Sequence, residues 1–192
     1  MPRSCLHCAC HRISAPGRRH VTQDAAPAGR GPTVTPAAAS DGKVALSFEV
    51  IASRLRTLLE RSDLAHVDAV VAVARGGVVA GALVAYHLRL PLWVVRLRYR
   101  DDANVPLEAD PRLLGDVPDV RRLHVLIVDD VSVSGATLRT IRAALDPGAS
   151  TTLVLKGRPG AADLVVFDDV PSCVRWPWGP EQMGARDAAS SG

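Results

Sequence analysis

The sequence predicts an α/β domain: a parallel sheet flanked by helices, with a small C-terminal cap. Two observations carry this. Strand-length apolar runs alternate with helical patterns from residue 44 to residue 167, the order that builds parallel βαβ units. The chain is 47% hydrophobic but only 4% aromatic, so its core is Ala, Val and Leu, the residues that fill strands covered on both faces. Its 192 residues suffice for one domain with a good core and are too few for two of average size.

Residues 1–43 are rich in Pro, Gly, Ala and Arg and lack apolar periodicity. They are expected to be a disordered extension. An Arg-rich, acid-poor leader also has the composition of a transit peptide, ranked below a simple extension. The domain is expected over residues 44–183. Ser47–Glu60 places Phe48, Ile51, Leu55, Leu58 and Leu59 on one helical face, with Glu49 favourable in the first turn. Asp68–Ala74 is a buried strand. Gly77–Leu90 is apolar but too long for a strand, so it is a helix. Leu92–Leu97 is the second strand, with Pro91 tolerable at its start.

Arg98–Arg122 is long, charged and interrupted by Pro106, Pro111 and Pro118. Such a stretch inside a domain is usually a functional lid or disordered. Val125–Val128 is the third strand, and Ala136–Leu145 a helix stopped by Asp146-Pro147-Gly148. Thr151–Leu155 and Leu164–Phe167 are further strands. Residues 168–183 form the cap, and 184–192 a disordered polar tail.

The net charge of +3 hides an asymmetry: residues 1–40 carry five arginines and one aspartate, hence +4, and the remainder carries −1. A near-neutral domain has no nucleic-acid footprint. No apolar run approaches a membrane span, and no secretory signal opens the chain. A cytoplasmic location is the default expectation. Cys5, Cys8 and Cys10 crowd the start beside His11, and Cys173 stands apart. This is no disulfide framework. Four metal ligands within seven residues would close very tight chelate loops, so the cluster is a weak metal candidate.

The chemistry concentrates in Leu123–Thr137, LHVLIVDDVSVSGAT. An apolar run meets Asp129 and Asp130, and Gly135 then lies among Ser132, Ser134 and Thr137 before a helix. Carboxylates accept hydrogen bonds from a diol. Loop amides and a helix N-terminus hold a phosphate. The simple alternative for an acid pair alone is a solvated turn or helix cap; the whole nine-residue pattern argues against it. Arg75-Gly76-Gly77 follows another strand. In a parallel sheet ligands gather at the carboxyl ends of strands, so both exits are expected to face one cleft.

These residues resemble the type I phosphoribosyltransferases, closest to the bacterial xanthine–guanine and hypoxanthine type. DDVSVSGAT (129–137) is similar to that family's signature for 5-phosphoribosyl pyrophosphate (PRPP). Ala74-Arg75-Gly76-Gly77 is similar to its pyrophosphate loop, and Lys156-Gly157-Arg158-Pro159 with Trp176-Pro177-Trp178 to its purine-pocket segment. The resemblance covers about residues 47–180 and implies a Rossmann-like core. It implies transfer of the phosphoribosyl group from PRPP to a nucleobase, a purine by preference, with release of pyrophosphate.

The resemblance also assigns roles. Asp129 and Asp130 would hold the ribose hydroxyls near a Mg²⁺ that also touches pyrophosphate. Val133, Ser134, Gly135, Ala136 and Thr137 would wrap the 5′-phosphate. Arg75, Gly76 and Gly77 would meet pyrophosphate, in family members through a cis peptide. Arg98 and Tyr99 would open a lid, with Arg98 in place of the family's serine; a charged surface loop is the alternative. Lys156, Val174 and Trp176 would meet the base, although Trp176 and Trp178 could instead cover the sheet edge. Dimers are common in the family, so a homodimer is an expectation.

Three positions depart from the pattern. Val133 stands where the 6-oxopurine enzymes carry an Asp that handles the N7 proton. Cys173 replaces the stacking aromatic, and Gly179 replaces an acid. A phosphoribosyltransferase for a non-purine acceptor and a PRPP-binding regulator therefore stay open beside the main reading.

Overall fold

Every expected helix forms, and each is built by the local signals the sequence carries. The computed structural model describes residues 43–98, 111–170 and 173–179. The N-terminal extension up to residue 42, the Cys5–His11 cluster, Tyr99 and the 184–192 tail lie outside the described residues. All described residues belong to one compact unit.

In chain order the elements are β1 (Val44–Ala45), α1 (Phe48–Arg61), β2 (Ala69–Ala74), α2 (Gly77–Leu88), β3 (Leu92–Arg98), β4 (Arg112–Leu114), β5 (His124–Ser132), α3 (Ala136–Leu145), β6 (Ala149–Gly157), β7 (Leu164–Val165) and β8 (Val174–Arg175). Ser47 caps α1, its side chain accepting from Val50 N at 3.4 Å. Ile51, Leu55 and Leu59 form the buried stripe at i, i+4, i+8. Phe48 departs from the expected face: it is 46% exposed and its ring packs 5.6 Å from Trp178.

Six strands make one sheet in the order β4-β3-β2-β5-β6-β7. All neighbours are parallel except β3 and β4. Alternation along each strand divides the core. Val70, Leu126, Val128, Leu153 and Leu155 face α1 and α2. Val71, Val73, Val125, Ile127 and Val154 face α3 through Leu138, Ile141 and Leu145. Each such side chain, fully buried, contributes about 1.5–3 kcal/mol.

Strand β4 falls inside the segment expected to be irregular. Its three residues pair with Arg96–Arg98 rather than forming a core of their own, so they show no pattern that could have revealed them. Strands β1 and β8 were likewise missed. They pair only with each other, Val44 with Val174 and Ala45 with Arg175. Residues 173–179, expected as a cap, are therefore β8 and the turn that follows it. Among the described residues no helix is long and apolar enough to cross a membrane.

The sheet order holds the key to the site. From β2 the chain steps outward to β3 on one side; from β5 it steps to β6 on the other. The direction in which strands are added to the sheet reverses between the parallel β2 and β5, and a crevice opens there at the strands' carboxyl ends.

Candidate active site

The loop leaving β2 meets the end of β5 at this crevice because two of its residues, Gly76 and Gly77, lack side chains. A Cβ on Gly77 would stand 2.6 Å from the Val128 carbonyl oxygen and 2.7 Å from Asp129 Cα. A Cβ on Gly76 would overlap the Asp130 carboxylate. Two consecutive glycines thus let the start of α2 lie directly on β5. The peptide bond from Ala74 to Arg75 is cis, in the loop where the resemblance implies one.

Asp129 and Asp130 do not end the strand, as the sequence suggested, but lie within it. Strand β5 runs on to Ser132 because its pairing with β6 continues: Asp129 opposes Val154, Val131 opposes Lys156 and Ser132 opposes Gly157. Strand β2 stops at Ala74, so the acids occupy a ledge that β6 supports on one side and the glycine loop covers on the other. Asp129 is 7% exposed. Its Oδ1 accepts from Asp130 N at 2.9 Å, and Asp130 Oδ1 accepts from Val131 N at 2.8 Å. Burial pushes both carboxyls above the ordinary carboxylate range, and the neighbouring Asp130 charge pushes Asp129 further. Such a pair gains from sharing a proton, a cation or the hydroxyls of a sugar.

The following loop forms a cup at the start of α3. Gly135 has φ +73°, the left-handed region where other residues are strained. This turn brings the first amides of α3 round to the loop, a geometry suited to an anion. From outside, Arg139 Nη1 donates to the Ser134 carbonyl at 2.7 Å, and Arg158 N donates to the Ser132 carbonyl at 3.2 Å.

A cleft of about 900 Å³ joins the cup to a second lobe. Asp130 and residues 131–137 line the first half, so Val133, Ser134, Gly135, Ala136 and Thr137 all face it. Lys156, Asp168, Val170, Cys173 and Val174 line the second. Lys156 lies inside β6 rather than after it, and its Nζ donates to the Val170 carbonyl. Val133 is 57% exposed and Cys173 exposed.

Other assigned residues stand elsewhere. Trp176 does not reach the cleft. It is 9% exposed, stacked parallel on Trp178 at 5.4 Å and tilted on Phe167 at 6.4 Å. Pairing of β8 with β1 leaves the indole packed into the core beside Phe167. Arg98 ends β3 opposite Arg112 of β4. Lys43, read as part of the extension, lines the cleft with Arg158. It could not be located from sequence because only the β1–β8 pairing brings it there. Asp168 and Val170 were missed for the same reason: strand β7 is two residues long, and its placement beside β6 decides where they fall.

Among the described residues no three His, Cys, Asp or Glu side chains gather as metal ligands. The two acids alone suit Mg²⁺, which is commonly held by one or two carboxylates together with substrate oxygens.

Comparison with known proteins agrees with the fold. Solved structures of similar fold include a purine phosphoribosyltransferase from Pyrococcus horikoshii Ot3, 24% identical over 71% of this chain and 93% of that one, with a TM-score of 0.57. A hypothetical protein from Neisseria gonorrhoeae with bound ppGpp is 20% identical over 74% and 92%, with a TM-score of 0.58. The Helicobacter pylori xanthine-guanine-hypoxanthine phosphoribosyltransferase is 18% identical over 74% and 97%, with a TM-score of 0.58. At these identities the likeness is one of fold. No curated protein matches the sequence. The family model of the phosphoribosyl transferase domain matches residues 47–187, most of the chain, and on that match the protein belongs to the phosphoribosyl transferase domain family.

Proposed function

We propose that the protein transfers the 5-phosphoribosyl group of PRPP to the ring nitrogen of a nucleobase, a purine by preference, and releases pyrophosphate. One observation carries the reading: Asp130, next to the buried Asp129, shares one cleft with the 133–137 cup and Lys156, and the Gly76–Gly77 loop packs directly against both acids.

The bond from C1′ to the pyrophosphate oxygen breaks, its electron pair leaving with pyrophosphate, while the base nitrogen bonds to C1′ from the opposite face. The transition state resembles a ribosyl cation, so catalysis is positioning and charge stabilisation. Asp129 and Asp130 orient the ribose hydroxyls and favour positive charge on the ring. The 133–137 cup anchors the 5′-phosphate, and Arg75 with Gly76 and Gly77 receives pyrophosphate. Mg²⁺, held by Asp129, Asp130 and substrate oxygens, would neutralise charge on the leaving group. Lys156 meets an exocyclic oxygen of the acceptor, and Val174 lines its pocket. Val133 offers no proton acceptor, so the acceptor enters as the tautomer whose lone pair faces C1′, and the proton on its other ring nitrogen leaves to solvent once the new bond has formed.

The same exposed Val133 favours a second reading, an acceptor other than a 6-oxopurine. Pyrophosphate release with PRPP and Mg²⁺, measured across guanine, xanthine, hypoxanthine, adenine and pyrimidines, tests both. Turnover with a purine supports the first reading, and turnover with pyrimidines alone supports the second. PRPP binding without turnover on any base would leave a regulator, and neither binding nor turnover would refute the site.

A further inference from the structure

A continuous set of contacts runs from helix α1 to the acceptor half of the cleft. Arg54 Nη1 and Nη2 donate to Asp169 Oδ1 and Oδ2 at 2.6 and 2.8 Å. This two-pronged geometry fixes direction as well as distance. The Arg54 guanidinium also lies 5.2 Å from the centre of the Phe167 ring, which is 1% exposed. Arg54 therefore grips the chain on both sides of Asp168. The next residue is Val170, whose carbonyl accepts from Lys156 Nζ. Asp168, Val170 and Lys156 all line the cleft. The Arg54 guanidinium holds the Asp169 carboxyl below the ordinary carboxylate range, and the charge of Lys156 adds to this.

We infer that Arg54 is a positioning residue for the acceptor half of the cleft, acting through Asp169 and the Val170 carbonyl to aim the Lys156 ammonium. The inference rests on the phosphoribosyl transfer proposed above. A lysine ammonium is a point charge on a flexible four-carbon stem. The Val170 carbonyl takes one of its three N–H groups and so sets where the other two can point. That carbonyl belongs to a short segment after a two-residue strand, with little pairing of its own. The Arg54 fork supplies the missing constraint. The PRPP half is built on β5, α3 and the β2–α2 loop, none of which Arg54 touches among its hydrogen-bond and ring contacts.

The experiment compares wild type with Arg54→Ala, Arg54→Lys and Asp169→Asn. Initial rates are measured with PRPP and Mg²⁺ against guanine, xanthine, hypoxanthine and adenine. The Asp169 side chain is 54% exposed, so Asp169→Asn keeps a test available should Arg54→Ala fail to fold. Acceptor KM is expected to rise about tenfold in Arg54→Ala, as loss of aim at a reacting partner does, while the KM for PRPP stays at the wild-type value. Arg54→Lys restores little, because a lysine has no fork. Labelling of Lys156 by limiting acetic anhydride, read by peptide mass spectrometry, accelerates in Arg54→Ala and Asp169→Asn.

Unchanged acceptor KM and unchanged labelling overturn the relay. Both KM values rising in step with a fall in Tm also overturn it, since that is the signature of general destabilisation. A wild-type protein inert toward all four purines refutes the purine-transfer reading on which the relay rests; unchanged labelling beside an active wild type refutes the relay alone.

Discussion

Gly76, in the loop that leaves β2, and Asp130, inside β5, are packed so closely that a methyl group on the Gly76 Cα would overlap the Asp130 carboxylate. Gly76 itself has φ −56° and ψ −46°, a conformation any residue adopts. Its need for glycine is therefore set by the neighbouring acid and not by the backbone. Gly76→Ala is expected to displace Asp130 and lower kcat/KM for PRPP by about 100-fold, the cost of roughly an ångström of misplacement. Far-ultraviolet circular dichroism would stay native. Wild-type kinetics in this variant would mean the loop has room that the packing denies it.

Asp129→Asn is expected to raise stability and remove activity together. Burial raises the folded-state pKa of Asp129 above its unfolded value. Such a group binds a proton more readily in the folded state, so its contribution is complete below the unfolded pKa and is lost as pH rises through the folded one. At pH 7–8 the wild type bears that loss and the asparagine variant does not. Thermal melts without Mg²⁺ should show a higher Tm for the variant at pH 7.5 and equal values near pH 4. Turnover should fall by about 10²–10³-fold, as when a group that stabilises transition-state charge is removed.

Mg²⁺ with PRPP is expected to reverse that ranking, because a ligand that binds only the folded state stabilises it. Wild-type Tm should rise on adding both and return on adding a chelator. Asp130→Asn should lose most of the rise. Equal shifts in wild type and variant would remove Asp130 from the site.

Val133→Asp returns a proton acceptor to the cleft. Val133 is 57% exposed, so an aspartate there meets solvent and costs little stability. With hypoxanthine or guanine, kcat/KM is expected to rise by about 10²-fold, the usual worth of a placed general base. The gain should appear above the carboxylate pKa and vanish below it. An unchanged kcat/KM above that pKa would show that position 133 does not reach the acceptor's proton.

The opposite end of the sheet carries an acid-sensitive histidine, His124. The rings of His66 and His124 lie 4.3 Å apart, and His124 Nε2 meets Thr151 Oγ1 at 2.9 Å. Burial, then the charge of His66, lowers the His124 pKa, against a smaller opposing pull from Asp68. A depressed folded pKa means the unfolded chain takes the proton first. Stability is therefore lost as pH falls through the imidazole range, between about pH 7 and 5. His66→Gln should reduce that loss, measured as Tm at pH 7.5 against pH 5.5.

Much of this was legible locally. The three helices lie within a few residues of their expected bounds, because capping, apolar spacing and stop residues act within a few turns. The Gly-loop before α2 and the acid-to-Gly135 stretch were readable because close backbone approach and positive φ each demand small residues at fixed positions. The expected ends of β5 and β6 were too early. Strand length there depends on the partner: β5 continues past its apolar run only because β6 is hydrogen-bonded alongside it.

The sequence alone determined a layered α/β chain, the acid pair and the phosphate-type cup, since each is written in neighbouring residues. Tertiary structure alone completed the second half of the cleft. Lys43 and Asp168 join Lys156 and Val174, which the resemblance had assigned, because β1 pairs with β8 and β7 with β6. The same pairings turn Trp176 inward. Contacts between segments more than a hundred residues apart, such as Arg54 with Asp169, leave no periodic trace in either segment. They are fixed only when the folded sheet brings both segments to the same edge.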